Sequence, residues 1–105
     1  MKLVGIEWDD DKNILNKQEH DLSFETAQYV FADPERLERP DRSEKNTSGE
    51  ERWQTLGMVG KVLFVVYTER GENRRIISAR IAEKHERRSY NGYYQIDGMG
   101  WSKTT

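Results

Sequence analysis

The 105-residue sequence contains no cysteine, only two prolines and no apolar run longer than the six residues 62–67. Without cysteine there is no disulfide, no thiolate nucleophile and no cysteine-rich zinc site, so thiol redox chemistry is excluded. A run of six falls far short of the roughly 20 residues of a membrane-spanning helix. The first residues also lack the basic-then-apolar order of a secretion signal, so the sequence reads as cytoplasmic, with no membrane partner. Leu, Ile, Val and Phe together number 21, close to the level at which a strongly charged chain stays unfolded. Net charge, however, is also in short supply: 17 Lys and Arg stand against 19 Asp and Glu, and 3 Trp, 5 Tyr and 3 Phe bring large area per residue. The expectation is one folded domain with a small core over residues 1–92, followed by a tail over residues 93–105.

The near-neutral total hides an asymmetry. Residues 1–35 carry three lysines against nine acids, whereas residues 36–105 carry fourteen bases against ten acids. The second part is therefore the candidate anion-binding part. Its bases are mostly arginines, whose planar fork matches phosphate better than a lysine point charge does. The competing reading is that these side chains merely solvate a strand and a helix.

Periodicity predicts the layout. Residues 3–8 alternate as a short strand, and Asp9, Asp10 and Asp11 open a polar helix running to about His20, with Ile14 and Leu15 its main apolar contribution. Ser23 caps a second helix in which Phe24, Ala27, Val30 and Phe31 recur at helical spacing, and Asp33-Pro34 ends it. Residues 35–51 form a long polar loop with room for one short strand near Leu37. Three strands follow, at about 53–59, 62–68 and 74–81, joined by tight turns into an antiparallel meander; the unbroken apolar run marks the middle strand as covered on both faces. A last helix spans about 82–90. The fold class is thus α+β, an antiparallel twisted sheet with helices on one face and the other face open as a concave platform.

Few side chains suit chemistry. The aspartate triplet is read as a helix cap, and a Mg²⁺ site is the lesser alternative because consecutive residues do not converge on one ion. His20 falls near a helix end, where it serves either the dipole or proton transfer; His85 sits among Lys84, Arg87 and Arg88 as part of a basic face. Neither has metal-ligand spacing, and no metal site or cofactor is expected. In the strand over 74–81, strict alternation puts Arg74, Ile76, Ser78 and Arg80 on one face. An arginine on a partly buried face is either paired, here with Glu51, Glu83 or Glu86, or waiting for an anion. With Arg70 and Arg52 brought near by antiparallel neighbours, such arginines would hold a phosphate while an RNA 2′-hydroxyl attacks it.

The ordered set Trp8-Asp9, Lys12-Asn13, Asn16, His20, Ser23-Phe24-Glu25-x-Ala27, Phe31-x-Asp33-Pro34, Glu51-Arg52, Gly57, Val65-Val66-Tyr67-Thr68-x-Arg70, Arg75-Ile76-Ile77-Ser78-Ala79-Arg80-x-Ala82 and Glu86-x-x-x-Tyr90 resembles the BrnT family of type II toxins. The resemblance implies a RelE-like fold and a ribosome-independent, metal-independent ribonuclease. It also implies a BrnA-type ribbon-helix-helix antitoxin that binds operator DNA and neutralises the toxin in a heterotetramer. Any contact of the toxin with DNA is then indirect, and a homodimer is the other assembly to consider. Carried onto this sequence, the family's basic and histidine positions fall on His20, Arg52, Arg70, Arg75 and Arg80. Arg80 and Arg70 are assigned to the transition state, Arg52, Arg75 and Lys61 to the RNA backbone, and His20 to proton transfer. Where the family shows Lys-His-Gly, this chain has Glu19-His20-Asp21, which favours a protonated His20 and repels RNA locally. The alternative function is a catalytically weak module that grips an antitoxin and acts in transcriptional autoregulation.

Overall fold

Alternating side chains separated by glycine turns build the centre of the molecule. The computed structural model describes residues 1–43, 46 and 49–104, so part of the expected 35–51 loop lies outside the described residues. Strands β1 (Ile6–Trp8), β2 (Leu37–Pro40), β3 (Arg52–Val59), β4 (Lys61–Arg70), β5 (Asn73–Ile81) and β6 (Ser102–Lys103) form one sheet in the order β1-β5-β4-β3-β2-β6. The expected meander is β3 to β5. Every ladder is antiparallel except the short one between β1 and β5, where the chain's first strand lies parallel along the edge.

The stretch 62–67 is buried throughout because its alternation feeds two cores. Leu63 and Val65 join Ile6, Trp8, Phe24, Ala27, Val30, Ile76 and Ala79 on the first face. Val62, Phe64 and Val66 join Leu37, Leu56, Ala82 and Trp101 on the second. Helix α1 (Asp10–His20) and helix α2 (Phe24–Ala27), which continues as a 3-10 turn (Gln28–Ala32), cover the first face. Asp9 caps α1 by accepting from the Asp11 and Lys12 amides, and Ser23 caps α2 by accepting from Thr26, so the aspartate triplet is committed to the helix start.

Helix α1 docks through polar side chains rather than its apolar ones. Ile14 and Leu15 are 57% and 50% exposed, and the inward positions belong to Asn13 and Asn16. The Asn16 amide donates to the Leu22 and Ala79 carbonyls and accepts from the Ala79 amide. Asn13 accepts from Phe24 N–H and donates to Glu25. Because β1 pairs only with residues 74–76 of β5, Ala79 has no strand beside it on that edge, and the Asn16 side chain takes the place of the missing peptide.

Alternation in β5 is broken as well. Val66 lies opposite Ser78 and Tyr67 opposite Ile76, so Ile77 is an extra residue, a β-bulge. Contrary to the alternation read from the sequence, Ile76 and Ala79 share the first core, while Ile77 packs on the second core beside the face that carries Arg80.

The C-terminal stretch comprises helix α3 (Lys84–Arg88), a wide π-type turn (Ser89–Tyr93) and helix α4 (Tyr94–Asp97), ending in β6. Tyr90 and Tyr94 pack against the second core, and Trp101 is buried edge-on to Phe64. The second face is thus roofed along one side and open along the other. Among the described residues no helix is long and apolar enough to cross a membrane.

One glycine is dictated by packing. A Cβ on Gly57 would lie 2.7 Å from Val30 Cβ and 3.0 Å from its Cα, because the 3-10 turn presses directly on β3. Gly57→Ala is expected to lower stability by about 2–3 kcal/mol through overpacking against rigid backbone; an unchanged urea midpoint would show that the turn yields freely.

Candidate functional site

The bulge at Ile77 aims the end of β5 at the open part of the second face. There a cleft of about 700 Å³ has Phe64, Val66, Ile77 and Ser78 as its floor. Arg39, Asp41, Arg52 and Gln54 from the β2–β3 side form one wall, and Arg80, Glu83, His85 and Glu86 form the other. Glu19 and His20, at the end of α1, close the rim.

Arg80 lies with its guanidinium carbon 4.0 Å from the Phe64 ring centre. It donates from Nη1 and Nη2 to the two oxygens of Glu86 at 2.7 and 2.9 Å, with Glu83 at 3.7 Å. The internal ion pair weighed from the sequence is therefore present. Burial pushes the Glu86 carboxyl up, but the Arg80 bonds, the Glu83 amide and the Arg80 charge outweigh it and hold the group below the usual carboxylate range. Glu86 also closes a capping box on α3 by accepting from Glu83 N–H at 2.7 Å. One carboxylate thus fixes both the helix start and the guanidinium.

On the opposite wall, Arg39 donates to Gln54 Oε1 at 2.7 Å and to the Met99 carbonyl, and lies 4.1 Å over Trp101. Burial lowers its pKa, while Glu86 and Asp41 act in the other direction. Gln54 passes the network on by donating to Asp41 at 2.9 Å. Asp41 is pushed up by burial and brought below its ordinary value by Ser43, Gln54 and the Arg52 charge. Arg52 has a buried Nε with no hydrogen-bond partner among the described residues. An unpaired buried guanidinium N–H is costly to leave.

Of the residues singled out from the sequence, Arg80, Arg52 and His20 meet in this cleft, and Arg70, Arg75 and Lys61 do not line it. Arg70 is exposed at the end of β4, 3.5 Å from Glu50. Arg75 faces the cap residue Asp9 at 3.9 Å. Lys61 is exposed beside the β3–β4 turn. Arg39, Asp41, Glu86 and His85 belong to the cleft but were not assigned to a site from the sequence. For Arg39 the available signal was its place two residues after Leu37 on one strand, and for Glu86 its spacing six residues after Arg80. His20 Nε2 lies 3.9 Å from Glu19 and His85 Nδ1 lies 3.9 Å from Glu83, so each imidazole has a carboxylate beside it. Among the described residues no three histidines or carboxylates are grouped to hold a metal ion.

Comparison with known proteins gives a family and a similar fold. The family model described as "Ribonuclease toxin, BrnT, of type II toxin-antitoxin system" matches residues 8–86. The crystal structure of the Brucella abortus ribonuclease toxin BrnT is similar in fold, with a TM-score of 0.53 and 19% identity over 75% of this chain and 96% of that one. No curated protein sequence matches the chain.

Proposed function

Since the chain belongs to the BrnT family of ribonuclease toxins of type II toxin–antitoxin systems, we propose that it cleaves RNA endonucleolytically, without a metal ion, in the cleft between the β2–β3 wall and α3. The observation that carries this reading is the meeting, in one cleft, of Arg52, whose Nε has no hydrogen-bond partner among the described residues, an Arg80 held by Glu86, and two histidines. Arg52 takes a non-bridging phosphate oxygen. Arg80 offers the N–H groups that Glu86 and the Ile81 carbonyl leave free, so its role is narrower than the transition-state clamp inferred from the sequence. His20 and His85, both lining the cleft, serve proton transfer: one accepts the proton of the attacking 2′-hydroxyl and the other donates to the departing 5′-oxygen. Arg70, Arg75 and Lys61 fall outside this constellation, and any part they play is as peripheral backbone contacts.

Purified protein with single-stranded RNA in excess EDTA is expected to yield 2′,3′-cyclic phosphate ends. Arg52→Ala is expected to slow this about 100-fold, the usual effect of deleting one charge-stabilising donor. Intact RNA under these conditions would reject the enzyme reading. It would favour the second one, a module that only grips its antitoxin, which the neutralising Arg80–Glu86 pair also suits. The proposal includes a BrnA-type ribbon-helix-helix antitoxin as the neutralising partner in a heterotetramer, with DNA met only through it; co-expression with such a partner is expected to silence cleavage.

A further inference from the structure

The central cleft does not end at α3. His85 also lines a second, more open groove of about 620 Å³, whose other lining residues are Lys84, Arg87, Arg88, Asn91 and Tyr93. Among the described residues no carboxylate lines this groove, whereas four line the central cleft. The nearest acid, Asp97, stands 3.7 Å from Arg88 Nε, and Glu83 faces His85 from the cleft side. Arg87 is steadied by donating to the Ala82 carbonyl at 2.9 Å. The wide turn Ser89–Tyr93 reverses at Gly92, whose φ of 114° only glycine adopts readily. This folds Tyr93, 44% exposed, back so that Arg88 lies 4.3 Å from its ring centre. While Ser89 and Tyr90 of this turn face the core, the side chains that line the groove are all exposed, so core packing does not account for the aromatic–guanidinium stack or the cations beside it.

Cations in a row serve successive phosphates, and an aromatic–arginine stack offers a planar face to a base. An acidic polypeptide would use the cations but has no need of the exposed ring. We propose that the α3 groove is a second nucleotide subsite that holds the single strand to one side of the cleaved phosphate, with phosphates at Lys84 and Arg87 and a base on the Tyr93–Arg88 stack. The inference rests on the RNA-cleavage reading above, because His85 is the point where the two grooves join.

The test compares a dinucleotide, which fills only the central cleft, with an RNA of about 12 nucleotides, the span of an extended single-strand site. Tyr93→Ala and Arg87→Ala are each expected to raise KM for the longer RNA about tenfold, leaving its kcat and all dinucleotide cleavage unchanged. Tyr93→Phe, which keeps the ring, is expected to behave as wild type. Removing Arg87 is expected to flatten the salt dependence of binding by about 0.7 in slope, one phosphate contact. Normal KM values in both alanine variants, with wild-type cleavage intact, would overturn the subsite alone. So would variants that bind the longer RNA normally but lose affinity for poly-glutamate, which would mark the groove as a protein dock. A wild-type protein that cuts neither RNA would overturn the parent reading along with this one.

Discussion

Arg80→Ala is expected to lower stability by about 3 kcal/mol at neutral pH, because it strands the carboxylate of Glu86, which is 2% exposed, without its bidentate partner. For a domain of this size that is roughly 15 °C in Tm. Glu86 in the folded wild type is held below its ordinary range, so it contributes stability that is present above the unfolded value of about 4.3 and lost as pH falls through the folded pKa. In Arg80→Ala the carboxyl keeps the Glu83 amide bond but loses the Arg80 bonds and charge, so it is held less far down than in wild type. The difference between variant and wild type therefore narrows as pH falls through the carboxylate range. Replacing both partners by apolar residues, Arg80→Met with Glu86→Leu, is expected to cost much less than the single change. Thermal melts across this pH range decide the matter: a single variant melting within a degree or two of wild type would mean that the pair is dispensable. A loss of cleavage in Arg80→Ala is thus no proof of a catalytic role unless a folded control, such as Arg80→Lys, is measured beside it.

Asn16→Ala carries the next largest expected loss, again about 3 kcal/mol. The change leaves the buried Ala79 N–H and C=O, together with the Leu22 carbonyl, short of partners. The site-specific readout is hydrogen exchange at the Ala79 amide, which should lose its protection in the variant while amides in the β3–β4 ladder keep theirs. Asn16→Asp keeps the acceptor for Ala79 N–H but not the two donated bonds, so an intermediate loss is expected. Equal protection of Ala79 in wild type and Asn16→Ala would show that α1 is held by something other than this amide.

These two residues mark where sequence reasoning succeeded and where it could not. Caps, turns and the meander were legible because their causes are local: Asp9 and Ser23 bond amides two or three residues on, and Gly60 and Gly71 adopt the positive φ that their turns require. The central strand was legible because an uninterrupted apolar run too short for a buried helix suits a strand covered on both faces. The docking of α1 was not legible: Ile14 and Leu15 are its most apolar residues, yet they face solvent. An asparagine that completes a sheet edge is indistinguishable, in sequence, from one on a solvated helix face. The cleft was half legible. Arg80, Arg52 and His20, singled out in the sequence as two arginines and one of two histidines, line one cleft, but the bulge at Ile77 depends on how β4 and β5 align, which no local pattern states. Arg39 and His85 enter the cleft only once β2 and α3 have taken their places beside the sheet.

Arg39 joins stretches of the chain that are made at different stages of translation. Its guanidinium rests on the Met99 carbonyl and the Trp101 ring, some sixty residues downstream, whereas the meander it flanks is complete in sequence by Ile81. A nascent polypeptide lacks the support for that wall until residues 99–101 have been added, because synthesis runs from the N-terminal end. Partial products released by early termination would carry the meander but an unfinished cleft, and only chains extended past Trp101 would hold the assembled one.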